Sequence, residues 1–256
     1  MIKYFVLDMD GCLTYPFHSP DWDAISSIRA LQMRSGQEKH IPALSLCTGR
    51  PLPYAEAAAQ WLGIHNTIIF ESGGGFYHPV SNKLVWSPNF TEDIERKSAE
   101  IRKWFVRDVL PQFPNAVFEF SKRTDVGIVH IDLNEIKKIF EISTRMINDE
   151  FPEFEVHSTS ISVNIIAKTC NKASGLQIFA ERHDVTANEV AYIGDSTGDL
   201  KALDWVGMPF APANAIEAVR RQACVMKGEA THGVLEAYRK IIDQNRSGSS
   251  SVSSIS

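Results

Sequence analysis

VLDMDGCLT, residues 6–14, is an apolar run that breaks into two aspartates one residue apart, Asp8 and Asp10, ahead of a glycine. Alternate residues of an extended chain face the same way, so both acids project together from the strand's carboxyl end, the edge at which open α/β sheets bind ligands. An Asp-Gly turn accounts for the same letters, and three further segments weigh against it. ALSLCTGR, 43–50, is a second apolar run tipped by Thr48, and Gly49 beside it lets the backbone come close to an anion. NKASGL, 171–176, places Lys172 at the start of an amphipathic helix. EVAYIGDSTGDL, 189–200, is a strand followed by Asp195 and Asp199, four residues apart and on one side of the first turn of a helix that begins there. Motifs at four strand ends and helix starts make one site.

With its motifs in the order Asp8-x-Asp10, Thr48, Lys172 and Asp195 with Asp199, the chain resembles the haloacid dehalogenase (HAD) superfamily of phosphatases, from the first strand to about residue 242. Finer details resemble the type IIB branch and, within it, the small archaeal-type phosphoglycolate phosphatases: TYP at 14–16, AEAA at 55–58, ESGGG at 71–75, Asn171 before the lysine and PANA at 212–215. The fold this implies is α/β, a Rossmann-like core with a doubly wound parallel sheet and an inserted α+β cap. One departure is Gly198, where the family commonly has asparagine, which puts efficiency in doubt more than reaction type.

The pattern along the chain agrees. Residues 2–7, 43–47, 67–70 and 190–193 are short, nearly continuous apolar runs, as parallel strands covered on both faces require. A helix over 53–62 stops at Gly63. From about residue 80 the rhythm changes: helix 91–110, strands 116–120 and 126–131, then helix 134–151 and strands 154–157 and 161–166. The expected division is core 1–79, cap 80–168, core 169–244, and a serine-rich tail 245–256 without apolar periodicity, read as disordered.

Composition narrows the class. A net charge of −5 with no dense basic patch argues against nucleic acid as a partner. No apolar run reaches membrane-spanning length and no signal peptide is apparent, so a cytoplasmic, reduced setting is expected, as a monomer or homodimer. Cys12, Cys47, Cys170 and Cys224 are too scattered for zinc or a disulfide framework and are read as packing thiols. An EF-hand loop fails because the sixth position from Asp8 is Leu13 rather than glycine, and there is no P-loop signature.

Phosphate monoesters repel an attacking carboxylate, so attack needs a cation and positioned donors. On the resemblance, Asp8 is the nucleophile, forming an aspartyl-phosphate, and Asp10 the general acid and base. Mg²⁺ suits a hard oxygen site; its ligands would come from Asp8, Asp195, Asp199 and the backbone carbonyl of Asp10. Thr48, Gly49, Lys172 and Asn214 would bind the phosphate, although Asn214 could equally cap a helix and Arg50 could be structural. Gly73, Gly74 and Gly75 would join core to cap and touch substrate. Arg123, His157 and Ser160 are candidate selectors on the cap. The substrate would be a small phosphorylated metabolite: phosphoglycolate, a sugar phosphate, and a phosphorylated glycerate or glycoside all fit. A phosphomutase of the same fold and an inactive phosphate-binding protein remain alternatives.

Overall fold

A computed structural model describes residues 1–250. The first core segment runs β1 (Tyr4–Leu7), α1 (Trp22–Gln32), β2 (Ala43–Leu46), α2 (Leu52–Leu62), β3 (Ile68–Phe70), β4 (Gly75–His78) and β5 (Lys83–Trp86). The cap comprises α3 (Glu92–Trp104), β6 (Val117–Phe118), β7 (Val126–Val129), α4 (Leu133–Glu150), β8 (Phe154–Ser158) and β9 (Ser162–Ala167). The chain then returns through α5 (Lys172–Arg182), β10 (Val190–Ile193), α6 (Leu200–Trp205), β11 (Met208–Ala211), α7 (Glu217–Arg220), β12 (Cys224–Val225) and α8 (Ala230–Ser250).

The main sheet has the order β12-β11-β10-β1-β2 with every pair parallel. Apart from the buried Ser45 its strands are apolar, because both faces are covered. Phe5 and Leu7 face a cluster built with α1, α2 and α8, whereas Val6, between them, faces a second cluster with α5, α6 and α7. This is the doubly wound α/β core that the apolar runs imply. β3, β4 and β5 form an antiparallel extension, tied to β2 by the Cys47–Ile69 bridge and by the Ser45 hydroxyl donating to Thr67 O at 2.6 Å.

The cap is a sheet of order β6-β7-β9-β8 backed by α3 and α4 around its own apolar cluster. Alternation along β7 and β9 sends Val126, Ile128, Val163 and Ile165 into that cluster, leaving Gly127 and Asn164, paired across the strands, on the opposite face.

Four boundaries differ from the sequence reading. β5 pairs with β4, so residues 83–86, expected in the cap, belong to the core, and Trp86 packs on the core cluster. The helix expected to run to residue 110 is regular only to Trp104, then loosens into a π turn, Phe105–Val109, and a 3₁₀ turn, Leu110–Gln112, where Pro111 offers no backbone donor. The strand expected at 116–120 is only Val117–Phe118. At the other end, residues 245–250, read as disordered, continue α8. Asn245 explains it: its side chain accepts from Ile2 N at 2.9 Å and donates to Ile2 O and His40 O at 2.9 and 3.0 Å. The remainder of that expected tail, 251–256, lies outside the described residues. Among the described residues no helix is long and apolar enough to cross a membrane. All four cysteines are free, three of them buried.

Candidate active site

β1 ends in Asp8, 4% exposed, whose amide donates to Ile193 O at the tip of neighbouring β10. Lys172 is the first residue of α5, which Asn171 caps through a reciprocal box with Ser174. A cation there opposes the helix dipole, so the lysine is held by carboxylates instead: its Nζ lies 2.8 Å from Asp8 Oδ1 and 2.6 Å from Asp199 Oδ1. Asp199 is wholly buried and saturated. Its Oδ1 also accepts from the Tyr192 hydroxyl at 2.6 Å, and its Oδ2 accepts from Asp195 N, Ser196 N and Ser196 Oγ at 3.0–3.1 Å. The expectation that Asp199 binds metal directly is therefore corrected: no lone pair of its carboxylate is left over, and it orients Lys172. Tyr192 and Ser196 hold Asp199 without help from position 198, where a Cβ would meet only Ser196 Oγ, at 3.9 Å.

The carboxylates of Asp8 and Asp195 and the Cys12 thiol lie within 4.8 Å of one another. Gly11 makes this possible. Its φ is +80°, and a Cβ there would stand 2.2 Å from Asp195 Oδ2. Burial pushes the Cys12 thiol up, so a neutral sulfur borders the site and its hard donor atoms are the carboxylate oxygens of Asp8 and Asp195. Burial, only partly offset by Lys172 and reinforced by Asp199 and Asp10, pushes Asp8 up to about 7. Burial and then the charges of Asp199 and Asp8 push Asp195 up to about 8. Burial works against the charge of Asp199 too, but Lys172, Tyr192 and Ser196 outweigh it and hold that carboxyl below its usual range. Two buried carboxylates and the half-buried Asp195 around one lysine are short of positive charge, and the donor set fits a divalent oxygen-seeking cation.

Asp10 is gripped by Arg50, with Nε 2.6 Å from Oδ2 and Nη2 2.9 Å from Oδ1. Thr48, 1% exposed, accepts from Arg50 N at 3.1 Å, which orders the turn that follows β2. Gly49 and Ser72 face each other there: a Cβ on Gly49 would meet Ser72 Oγ at 3.2 Å. Asn214 donates to Gly11 O at 2.9 Å and accepts from Ala230 N at 2.8 Å. Its amide thus ties the Asp10–Gly11 turn to the first residue of α8, and Asn214 also lines the cavity beside the site.

These groups open into a cavity of about 580 Å³ between core and cap. His157 and Ser160 line it, as expected of selectors. Arg123 does not: it pairs with Glu95 at 2.6 Å and stacks on Trp86 at 4.8 Å, outside the cavity. Its neighbour Lys122 lines the cavity instead, with Glu119 and Asn164. The glycine run is also reassigned. Glu71, Ser72 and Gly73 all have positive φ (45°, 55° and 99°), and of the loop at 71–75 only Ser72 lines the cavity. Glu71, buried in the core, accepts through Oε2 from Arg123 N, Thr124 N and Thr124 Oγ1 of the cap at 2.6–2.8 Å. Nothing in the alternation around Glu71, Glu119 or Tyr192 distinguishes them in sequence, because each is joined to its partners only by tertiary pairing.

A parallel α/β sheet that presents an aspartate pair, a buried lysine and a cation-ready carboxylate pair at its strand ends, under an inserted cap, is the architecture of a HAD hydrolase. Residues 80–238 match the family model for haloacid dehalogenase-like hydrolases, and the chain belongs to that family. It is 28% identical over 250 residues, covering 95% of this chain and 99% of its relative, to a phosphoglycolate phosphatase of Methanopyrus kandleri. A phosphoglycolate phosphatase of Methanococcoides burtonii is also 28% identical, over 93% of this chain and 95% of its own. Among solved structures, Thermoplasma acidophilum 0175 superposes with a TM-score of 0.70 at 21% identity, covering 94% of this chain and 98% of its own. The Synechocystis sucrose-phosphatase, in complex with sucrose and phosphate, gives 0.70 at 15% identity with the same coverages. At those identities the structures speak for the fold.

Proposed function

We propose that the protein is a Mg²⁺-dependent phosphatase that hydrolyses a small phosphate monoester, of the phosphoglycolate or sugar-phosphate type, through an aspartyl-phosphate on Asp8. The observation that carries this reading is the buried Asp8–Lys172–Asp199 array, in which one lysine stands 2.8 Å from the first carboxylate and 2.6 Å from the second. Such an arrangement costs stability unless it serves chemistry.

Asp8 and Asp195, with the backbone carbonyl of Asp10, would hold Mg²⁺, which when bound neutralises charge between nucleophile and phosphoryl group. Lys172, kept charged and aimed by Asp199 and Tyr192, offsets the same charge from the other side. Asp8 attacks phosphorus as the bond to the leaving oxygen breaks, and Asp10 supplies the proton that the departing alcohol takes. Asp10 then removes a proton from the water that attacks the aspartyl-phosphate, returning Asp8 and inorganic phosphate. Arg50 fixes the plane of the Asp10 carboxylate for both transfers. The names of the archaeal relatives support the reaction class.

The test is phosphate release from a panel of small monoesters and para-nitrophenyl phosphate, with and without Mg²⁺, by wild type and Asp8→Asn. Wild type should turn over only with the cation, and the folded variant should lose at least a thousandfold, since an amide is no nucleophile. Near-normal turnover by folded Asp8→Asn would remove the mechanism.

A further inference from the structure

On the cap side of the cavity, Glu119, Lys122 and Asn164 meet over Gly127. A Cβ at Gly127 would lie 2.1 Å from Glu119 Oε2, 2.9 Å from Asn164 Oδ1 and 3.0 Å from Lys122 Nζ. The missing side chain is what lets the three groups sit on the sheet, at the face turned to the core.

At first sight Lys122 is the cation that a second acidic group on the substrate would seek. Its charge is already answered: Lys122 Nζ donates to Asn164 Oδ1 at 2.8 Å and is ion-paired with Glu119 Oε2 at 2.8 Å and Asp125 Oδ1 at 3.3 Å. The side chain is only 2% exposed and cannot turn to a ligand without abandoning buried carboxylates. Arg50, the other cation near the cap, is engaged bidentately by Asp10. What remains open is a matched pair, the acceptor Glu119 Oε1 and the donor Arg50 Nη1, whose charge Asp10 already balances. Glu119 Oε1 stands 3.9 Å from Arg50 Nη1, beyond hydrogen-bond length, with that guanidinium linking it to Asp10. A hydroxyl there donates to Glu119 and accepts from Arg50; a carboxylate has no proton to give and meets Glu119 as a like charge.

Resting on the phosphatase reading above, the alcohol half of the substrate leaves on the side of Asp10, one guanidinium away from Glu119. We propose that Glu119 is the specificity-determining residue of the cap, selecting phosphate esters of neutral, hydroxyl-bearing alcohols and rejecting those whose alcohol carries a carboxylate.

Matched pairs test this: 2-hydroxyethyl phosphate against phosphoglycolate, and glycerol 3-phosphate against 3-phosphoglycerate. Within each pair the size is nearly constant and a hydroxymethyl replaces a carboxylate. Wild type should favour the neutral member of both pairs by tenfold or more in kcat/KM. Glu119→Gln, whose amide can donate to a carboxylate, should cut that ratio about tenfold, chiefly through a lower KM for the acids. Ratios within one variant are independent of its absolute rate. Wild-type preference for the carboxylated member of either pair overturns the proposal even if the variant does not fold, and so does an unchanged ratio in folded Glu119→Gln. Para-nitrophenyl phosphate separates the two levels: turnover of it with the wrong pair preference refutes the selector alone, whereas no phosphate release from any ester refutes the phosphatase and the selector falls with it.

Discussion

Asp199→Asn tests whether the aspartate nearest Lys172 is a metal ligand or the brace of that lysine. The carboxylate receives five donors, from Lys172, Tyr192, Asp195 and Ser196, and has no exposed surface. An asparagine has one acceptor oxygen and an NH₂ that can only donate, so it must oppose either the Lys172–Tyr192 pair or the three donors on the other side. Breaking a buried ion pair while leaving its partner in place costs about 3–5 kcal/mol. For a chain of this size that corresponds to a fall in Tm of about 6–20 °C. Urea and thermal unfolding in metal-free buffer measure the loss, and a Mg²⁺ titration of phosphate release on the folded variant separates it from metal binding. Turnover should fall because Lys172 is no longer held, while the Mg²⁺ concentration for half-maximal rate should stay within about threefold of wild type. A variant as stable as wild type that needs at least tenfold more Mg²⁺ would show that Asp199 is a ligand and refute the reasoning. Asp195→Asn should behave in the opposite way, needing far more Mg²⁺ without loss of metal-free stability.

Three other perturbations have definite outcomes. Asp10→Asn should slow esters of poor alkoxide leaving groups more than para-nitrophenyl phosphate, by at least tenfold in the ratio of kcat values; equal losses would assign Asp10 to shaping the metal site. Glu71→Gln keeps an acceptor but loses the charge that gathers Arg123 N, Thr124 N and Thr124 Oγ1; it should cost about 1–3 kcal/mol and speed amide exchange at residues 122–125, and unchanged exchange would deny the latch. The metal-free protein should lose stability as pH rises from 5 to 8. Asp8 and Asp195 hold protons up to about 7 and about 8 against 3.8 in the unfolded chain, so the folded state binds more protons across that window. The slope is about 1.4 kcal/mol per pH unit per proton, and wild type minus Asp8→Asn isolates the Asp8 share; a flat difference would contradict its raised pKa.

The parallel core was legible because β1, β2 and β10 are nearly continuous apolar runs, broken only by Ser45, with Asp8, Thr48 and Asp195 just beyond their ends. The reacting groups could be named for the same reason. Asp199 was misassigned because four-residue spacing places a side chain on a helix face without saying which donors reach it, and here a hydroxyl from β10 and a lysine from α5 consumed it. Arg123 and Lys122 are adjacent in sequence, and only packing against Trp86 decides which of them leaves the cavity. The last turns of α8 were lost behind a serine-rich composition that outweighed Asn245.

The strand that carries Asp8 has a consequence for how the protein is made. Tyr4 on β1 pairs with Val190 on β10, and Ile2 is held by Asn245, 243 residues further on. The cap, by contrast, is a continuous stretch of chain with its own apolar cluster, and local contacts form sooner than distant ones. On a translating ribosome the cap can therefore close around Glu119 and Lys122 while β1, already beside β2, still waits for β10 on its other side. A chain stopped short of β10 would carry a finished cap beside a main sheet that still lacks β10, β11 and β12.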